Sequence, residues 1–152
     1  MRIGVVAVGR MKTGVEKTLL DAYARRITWP FAVREVEEKR ACPPAERIRR
    51  EGELLLAQCP NAARRVALDE RGKSLSSEQF AAMLGEWRDS GVSETVFLIG
   101  GADGHSNAVR DVAHHLLSFG TMTWPHMLVR AMLAEQIYRA QCILGNHPYH
   151  RG

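Results

Sequence analysis

Apolar and polar positions switch repeatedly between two periods along this chain. The run "RIGVVAV", Arg2 to Val8, is almost continuously apolar and rich in β-branched residues, which predicts a buried strand. "VEKTLLDAYARRI" sets Val15, Leu19, Ala22 and Ile27 near helical spacing, and "FAVREVEE" alternates Phe31, Val33 and then Val36 as a strand with one wet face. "PPAERIRREGELLLAQC" starts on proline, a good first-turn residue, and carries Ile48, Leu55 and Leu56 at helical spacing. "RRVALDE" reads as a short strand. "SSEQFAAMLGEWRDSG" reads as a helix opened by Ser and Glu arranged as a capping box and closed at Gly91. "ETVFLIG" is the strongest strand signal. "SNAVRDVAHHLLSFG" predicts a helix with a glycine stop, "TMTW" a brief strand, and "PHMLVRAMLAEQIYRAQCILG" a long helix ending at Gly145.

The resulting order, βαβαβαβαβα, predicts an α/β fold: a parallel sheet with helices on both faces, in one domain over residues 1–152. Such sheets bind ligands beyond the carboxyl ends of their strands. That rule marks the chain after Leu68-Asp69, after Gly100-Gly101 and around Gly120 to Pro125.

The last helix is unusual. Projected at about 100° per residue, Glu135 falls between Leu128, Ala131, Tyr138 and Cys142, while His126, Leu133 and Ile137 lie opposite. A helix apolar on two faces is buried all round. The outer face of a last helix is most simply covered by a second copy of the chain, so a two-fold homodimer is expected. Glu135 then needs an arginine, a tyrosine or a backbone amide as its partner.

Composition narrows the function classes. The chain is 45% hydrophobic and 25% charged, as ordinary soluble globules are, and no run reaches the length of a membrane span. Cys42, Cys59 and Cys142 are scattered and form no C-x-x-C pair, which argues against a disulfide framework or a cysteine zinc site and fits a cytoplasmic protein. His147 and His150 have no Cys or carboxylate nearby in sequence to complete a ligand set, so no metal is expected. The net charge of +4 permits an anionic partner such as RNA without requiring one.

Three stretches carry candidate chemistry. "LIGGADGHS", Leu98 to Ser106, is a glycine-rich turn between a buried strand and a helix, suited to close backbone approach by a ligand. It matches neither G-x-G-x-x-G nor a P-loop, and a plain tight βα turn is the alternative. In "FGTMTWPHMLVR", His126 and Arg130 share a helical face, and a histidine in a first turn is favoured neutral because the dipole there is positive. The closing "GNHPYHRG" combines Tyr149, His150 and Arg151, side chains suited to stacking on a base and gripping a phosphate.

"LIGGADGHS", "WPHMLVRAMLAEQIYRA" and "NHPYHRG", joined by "VAVGR" and "VALDERGK", resemble the ribosomal RNA large subunit methyltransferase H family, small enzymes of the SPOUT class. The resemblance implies an α/β fold whose C-terminal segment is threaded into a trefoil knot, with the knot forming a site for S-adenosylmethionine. It implies that Leu68, Gly100, Gly101 and the loop Gly120, Thr121, Met122, Thr123, Trp124 and Pro125 bind this cofactor. It also implies methylation of N3 of a pseudouridine in the subunit-interface hairpin of 23S rRNA, on assembled ribosomes, by a homodimer whose C-terminal tail crosses toward the partner's cofactor. His126, Arg130, Tyr149, His150 and Arg151 are the candidate catalytic and substrate-gripping residues. Ala102-Asp103-Gly104 and His126-Met127-Leu128 stand where members often have Pro-Glu-Gly and His-Pro-Leu. The rival reading is a non-catalytic, flavodoxin-like or ribosome-associated module that holds a nucleotide at the glycine turn.

Overall fold

The computed structural model describes residues 1–152. Strands β1 (Arg2–Val8), β2 (Phe31–Val36), β3 (Arg64–Ser74), β4 (Glu94–Ile99) and β5 (His115–Ser118) form one parallel sheet in the order β2-β1-β4-β3-β5. Helices α1 (Val15–Ala24), α2 (Pro44–Ala57), α3 (Ser77–Asp89), α4 (Asn107–Val112) and α5 (His126–Leu144) alternate with them.

Period-two alternation in the central strands sorts side chains to two cores. Ile3, Val5, Ala7, Phe97 and Ile99 face α3 and α5, where Phe80, Leu84, Leu133 and Ile137 meet them. Val6, Val8, Val96 and Leu98 point the other way, against Leu55 of α2 and Val109 of α4. All six residues of β4 are buried: Val96 to Ile99 as an apolar run predicts for a central parallel strand, and polar Glu94 and Thr95 with them. The layered α/β architecture with helices on both faces is therefore the one the alternation of periods predicts.

Several local expectations are corrected. The helical pattern of Asn107 onward stops at Val112, because Ala113 turns to an extended conformation (ψ 134°). His115–Ser118 then pairs with β3 as the fifth strand, with Val66 opposite His115 and Ala67 opposite Leu116. "HLLS" is too short for its period to decide between helix and strand, and the free edge of β3 decides it. Thr121–Trp124, expected as a strand, is loop. β3 runs on to Ser74 through a register shift between Leu68 and Lys73. Gly72 makes this possible, since a Cβ there would lie 2.6 Å from the Leu116 carbonyl carbon and oxygen. The capping box of α3 pairs Ser76 with Gln79, not with a glutamate.

α1 and α5 also refine the picture. Leu20 is the buried residue of α1, while Val15 and Leu19 are 79% and 41% exposed. α5 is buried round most of its circumference, as its two apolar faces predict. Within one chain, however, α1 and α3 already flank it, and Ala131 and Ala134 pack against Leu20. What remains open is a groove of about 560 Å³ between α1 and α3, lined by Leu19, Tyr23, Phe80, Met132 and Glu135.

Candidate functional site

The register sets Leu68, where the regular pairing of β3 breaks, level with the carboxyl ends of β4 and β5. Leu68 of β3 stands opposite Ile99 of β4 on one side and Leu117 of β5 on the other. Above them opens a cavity of about 680 Å³, lined by Leu68, the turn from Gly100 to His105, and Gly120 with Met122 to His126. Its size is that of a small-molecule site. The glycine turn closes on itself: Gly104 N–H donates to the Gly101 carbonyl at 3.0 Å, and Gly104 takes a left-handed φ of +83°. A Cβ on Gly100 would sit 3.1 Å from the Gly104 carbonyl, and one on Gly101 would sit 3.0 Å from Glu51 Oε2. A side chain at either position of this cradle would have to push these neighbours aside. Glu51 behind it is buried, and burial pushes its carboxyl above the ordinary range.

The second wall is the loop before α5. Gly120 N–H donates to Ser118 Oγ at 3.1 Å, Ser118 Oγ–H donates to the Gly120 carbonyl at 2.9 Å, and Trp124 Nε1–H donates to the Phe119 carbonyl at 3.3 Å. Met122 and Trp124 nonetheless stay 74% and 42% exposed. Thr121 is exposed and lies outside the cavity lining.

At the first turn of α5, burial and then the Arg130 charge push the His126 imidazole below its ordinary value, so the neutral form expected from its helix position is favoured. Arg130 itself is 1% exposed. It donates to the Val8 and Gly9 carbonyls at 2.9 and 2.7 Å and to Glu35 at 2.6 Å. Its charge is consumed inside the chain, and it is not free to grip a phosphate. It ties the carboxyl end of β1 to α5, bringing Gly9, with φ +98°, under His126 and Met127.

The tail is held. His147 N–H donates to the Cys142 carbonyl at 2.8 Å, past a left-handed Asn146 with φ 55°. Tyr149 packs edge-on against Tyr138 at 4.7 Å between centroids, and its hydroxyl donates to Glu135 at 2.9 Å. Glu135 also accepts from Arg139, so an arginine and a tyrosine do satisfy it. His150 bridges Arg139 at 3.1 Å and Glu78 at 2.7 Å. Nδ1 accepts from the guanidinium and Nε2–H donates to the carboxylate. Burial first, then Tyr23 and Glu135, push the Tyr149 hydroxyl far up. Arg151 is exposed.

Of the candidate residues, the structure gathers Leu68, Gly100, Gly101, Gly120, Met122, Thr123, Trp124, Pro125 and His126 around one cavity. Arg130 lies beneath it. Tyr149, His150 and Arg151 are not part of its lining within a single chain. Sequence reading missed Asp69 and Arg110, which also line the cavity and pair at 2.6 Å. Burial works to raise the Asp69 carboxyl, but the Arg71 N–H and Arg110 outweigh it and hold it below the ordinary range. An acid at a buried strand end was the available signal, though its arginine lies 41 positions away.

The parallel sheet carries its glycine turn and curled loop where α/β sheets bind their ligands, beyond the carboxyl ends of the strands. The family described as "Predicted SPOUT methyltransferase" matches residues 1–150. Proteins named ribosomal RNA large subunit methyltransferase H are 56% identical in Paramagnetospirillum magneticum and 54% identical in Rhodospirillum centenum, each over 151 residues and 99% of both chains. The protein of that name in Nitrobacter hamburgensis is 49% identical over 160 residues and all of both chains. The chain belongs to the SPOUT methyltransferase family. Among solved structures, the SpoU methyltransferase AviRb from Streptomyces viridochromogenes, determined with AdoMet, superposes with a TM-score of 0.50 at 15% identity. That match covers 92% of this chain and 58% of the other, and it is a likeness of fold.

Proposed function

We propose that this protein transfers a methyl group from S-adenosylmethionine to N3 of a pseudouridine in the subunit-interface hairpin of 23S rRNA. It does so as a cytoplasmic homodimer acting on assembled ribosomes, with its C-terminal segment threaded as a trefoil knot. The observation that carries this reading is the glycine turn and loop over Leu68 and the ends of β4 and β5, in a chain alike over 99% of its length to proteins named for methylating large-subunit rRNA.

The residues present fit the cofactor, because the turn from Gly100 to Gly104 and the loop at Gly120 present glycine backbone to a cavity of about 680 Å³. Bound there, S-adenosylmethionine supplies an electrophilic methyl group on a sulfonium, which departs as a neutral thioether. Leu68, Gly100, Gly101, Gly120 and Met122 to Pro125 hold it, with Thr121 outside the lining. Fixing donor and acceptor in line is the larger part of the task. The acceptor imide must also lose a proton, and we assign that role to His126, which lines the same cavity and whose imidazole burial favours in the neutral form. Arg130 positions His126 and Gly9 and does not touch substrate.

Tyr149, His150 and Arg151 then act at the cavity of a second copy. Two features support this: the tail is docked away from its own cavity, and an apolar groove lies open beside α5 near exposed Val15 and Leu19. The direct experiment is mass-spectrometric mapping of rRNA from cells lacking the protein, with restoration by the wild-type chain. A methylation pattern identical to that of wild-type cells overturns the reading.

A further inference from the structure

At the amino end of the sheet, opposite the cradle, lies a cavity of about 430 Å³ between the turn leading into β2 and the C-terminal ends of α3 and α5. No aspartate or glutamate lines it, whereas Arg26, Arg88 and His147 do, beside Trp29 and Tyr138. Arg26 is the cation of this lining with no carboxylate partner, Arg88 being paired with Asp89 beside it, and a recess of this donor character suits an anion.

Arg26 is the centre of the recess. Its guanidinium lies 4.3 Å from the Tyr138 ring centroid and 5.1 Å from that of Tyr149. Its side chain makes one hydrogen bond, to the Tyr138 hydroxyl at 3.1 Å, and unlike Arg110, Arg130 and Arg139 it is paired with no carboxylate. The cation is thus oriented by aromatic faces while most of its N–H groups remain unused. Gln141 fixes the turn that carries it, accepting from Thr28 N–H at 2.8 Å and donating to the Arg26 carbonyl at 2.9 Å. His147 adds a donor: Tyr149 N–H donates to its Nδ1 at 3.1 Å, which leaves the ring proton on Nε2. Arg88, whose Nε is engaged by Asp89 at 2.8 Å, keeps its terminal nitrogens.

The geometry points to a second RNA contact: Arg26, Arg88 and His147 hold a backbone phosphodiester of the substrate RNA, continuing the grip of the tail. This rests on the RNA-methylating reading above. Guanidinium groups suit phosphate because their planar N–H pairs match its oxygens. Such contacts set register on the RNA and carry little sequence information.

The test uses the full-length protein with purified ribosomal particles, measuring affinity across roughly 50 to 200 mM salt. Arg88→Gln touches neither the tyrosines nor the tail, and Arg26→Gln removes the central cation. Each is expected to weaken ribosome binding about 5- to 10-fold and to flatten the slope of log affinity against log salt by roughly one. S-adenosylmethionine affinity, read by calorimetry in parallel, reports that the variants are folded. Wild-type slopes in both variants overturn the inference. So does weakening by Arg26→Gln with no change of slope, which makes Arg26 a support for Tyr149 only. If the wild-type protein binds no S-adenosylmethionine, the methyltransferase reading fails and this site falls with it. If it binds and methylates while both slopes stay fixed, this site alone fails.

Discussion

Arg130 is a charge taken almost wholly out of water, which is tolerable only because two carbonyls and a carboxylate receive it. Arg130→Met leaves the Val8 and Gly9 carbonyls without a donor. It should destabilise the chain by roughly 2–4 kcal/mol, read as a lowered denaturant midpoint at constant slope. The same variant tests His126. Protonated His126 cannot accept a proton, so turnover should fall only on the acid side, below the ordinary histidine value of about 6.5. The first cause of the lowered value is burial and the second is Arg130. Arg130→Met should therefore move the acid limb of the rate profile to higher pH. A limb that stays in place, or one that persists in His126→Asn, removes His126 from the role of base. Burial works to raise the Glu35 carboxyl, but the Met11 N–H and Arg130 outweigh it. Its contribution is thus present above the unfolded carboxylate range and lost as pH falls through the folded one.

The elements differ in how far their own residues determine them. β1, β4 and α5 are legible because period and length agree along the whole segment. β5 is not, because four residues, His115–Ser118, owe their extension to a neighbour reached only after the chain has folded. The same holds for the site. The glycine turn and the loop before α5 announce themselves by composition, whereas the pairs that brace them, Asp69 with Arg110 and Glu35 with Arg130, join positions 41 and 95 apart. At this scale the cradle makes a graded prediction. A Cβ on Gly100 meets backbone at 3.1 Å, while one on Gly101 meets only side chains, Glu51 Oε2 at 3.0 Å and Val8 Cγ1 at 3.2 Å. Gly100→Ala should therefore lose cofactor affinity more severely than Gly101→Ala, measured by calorimetry. Equal losses mean that the turn can shift as a unit. Gly72→Val forces β3 away from Leu116 and should cost roughly 3 kcal/mol. It should also weaken cofactor binding, because β5 leads directly into the loop that forms one wall.

At the scale of the molecule, the open question is which chain supplies the tail to which cavity. Tyr149 and His150 are tied to α5 and α3 of their own chain, and α5 runs from the cavity at its first turn to the tail at its last. The tail starts at the far end of α5, a helix of 19 residues, and Tyr149 and His150 turn back to Glu135 and Glu78 without entering the cavity lining; a second helix lying alongside in the opposite sense would bring a partner's tail to it. A two-fold pair packed through the groove beside α5 has that arrangement. Deleting everything after Gly145 should leave the fold and cofactor binding in place and abolish turnover. That result alone does not separate the two assignments, but mixed dimers do. One subunit carries the deletion with an intact cavity, and the other carries Gly100→Val with an intact tail; each homodimer is inactive. If tails act across the dimer, half of the mixed pairs' cavities are completed, and an equal mixture regains about a quarter of wild-type turnover. If each tail serves its own chain, no cavity in the mixture is ever complete, and activity stays at background.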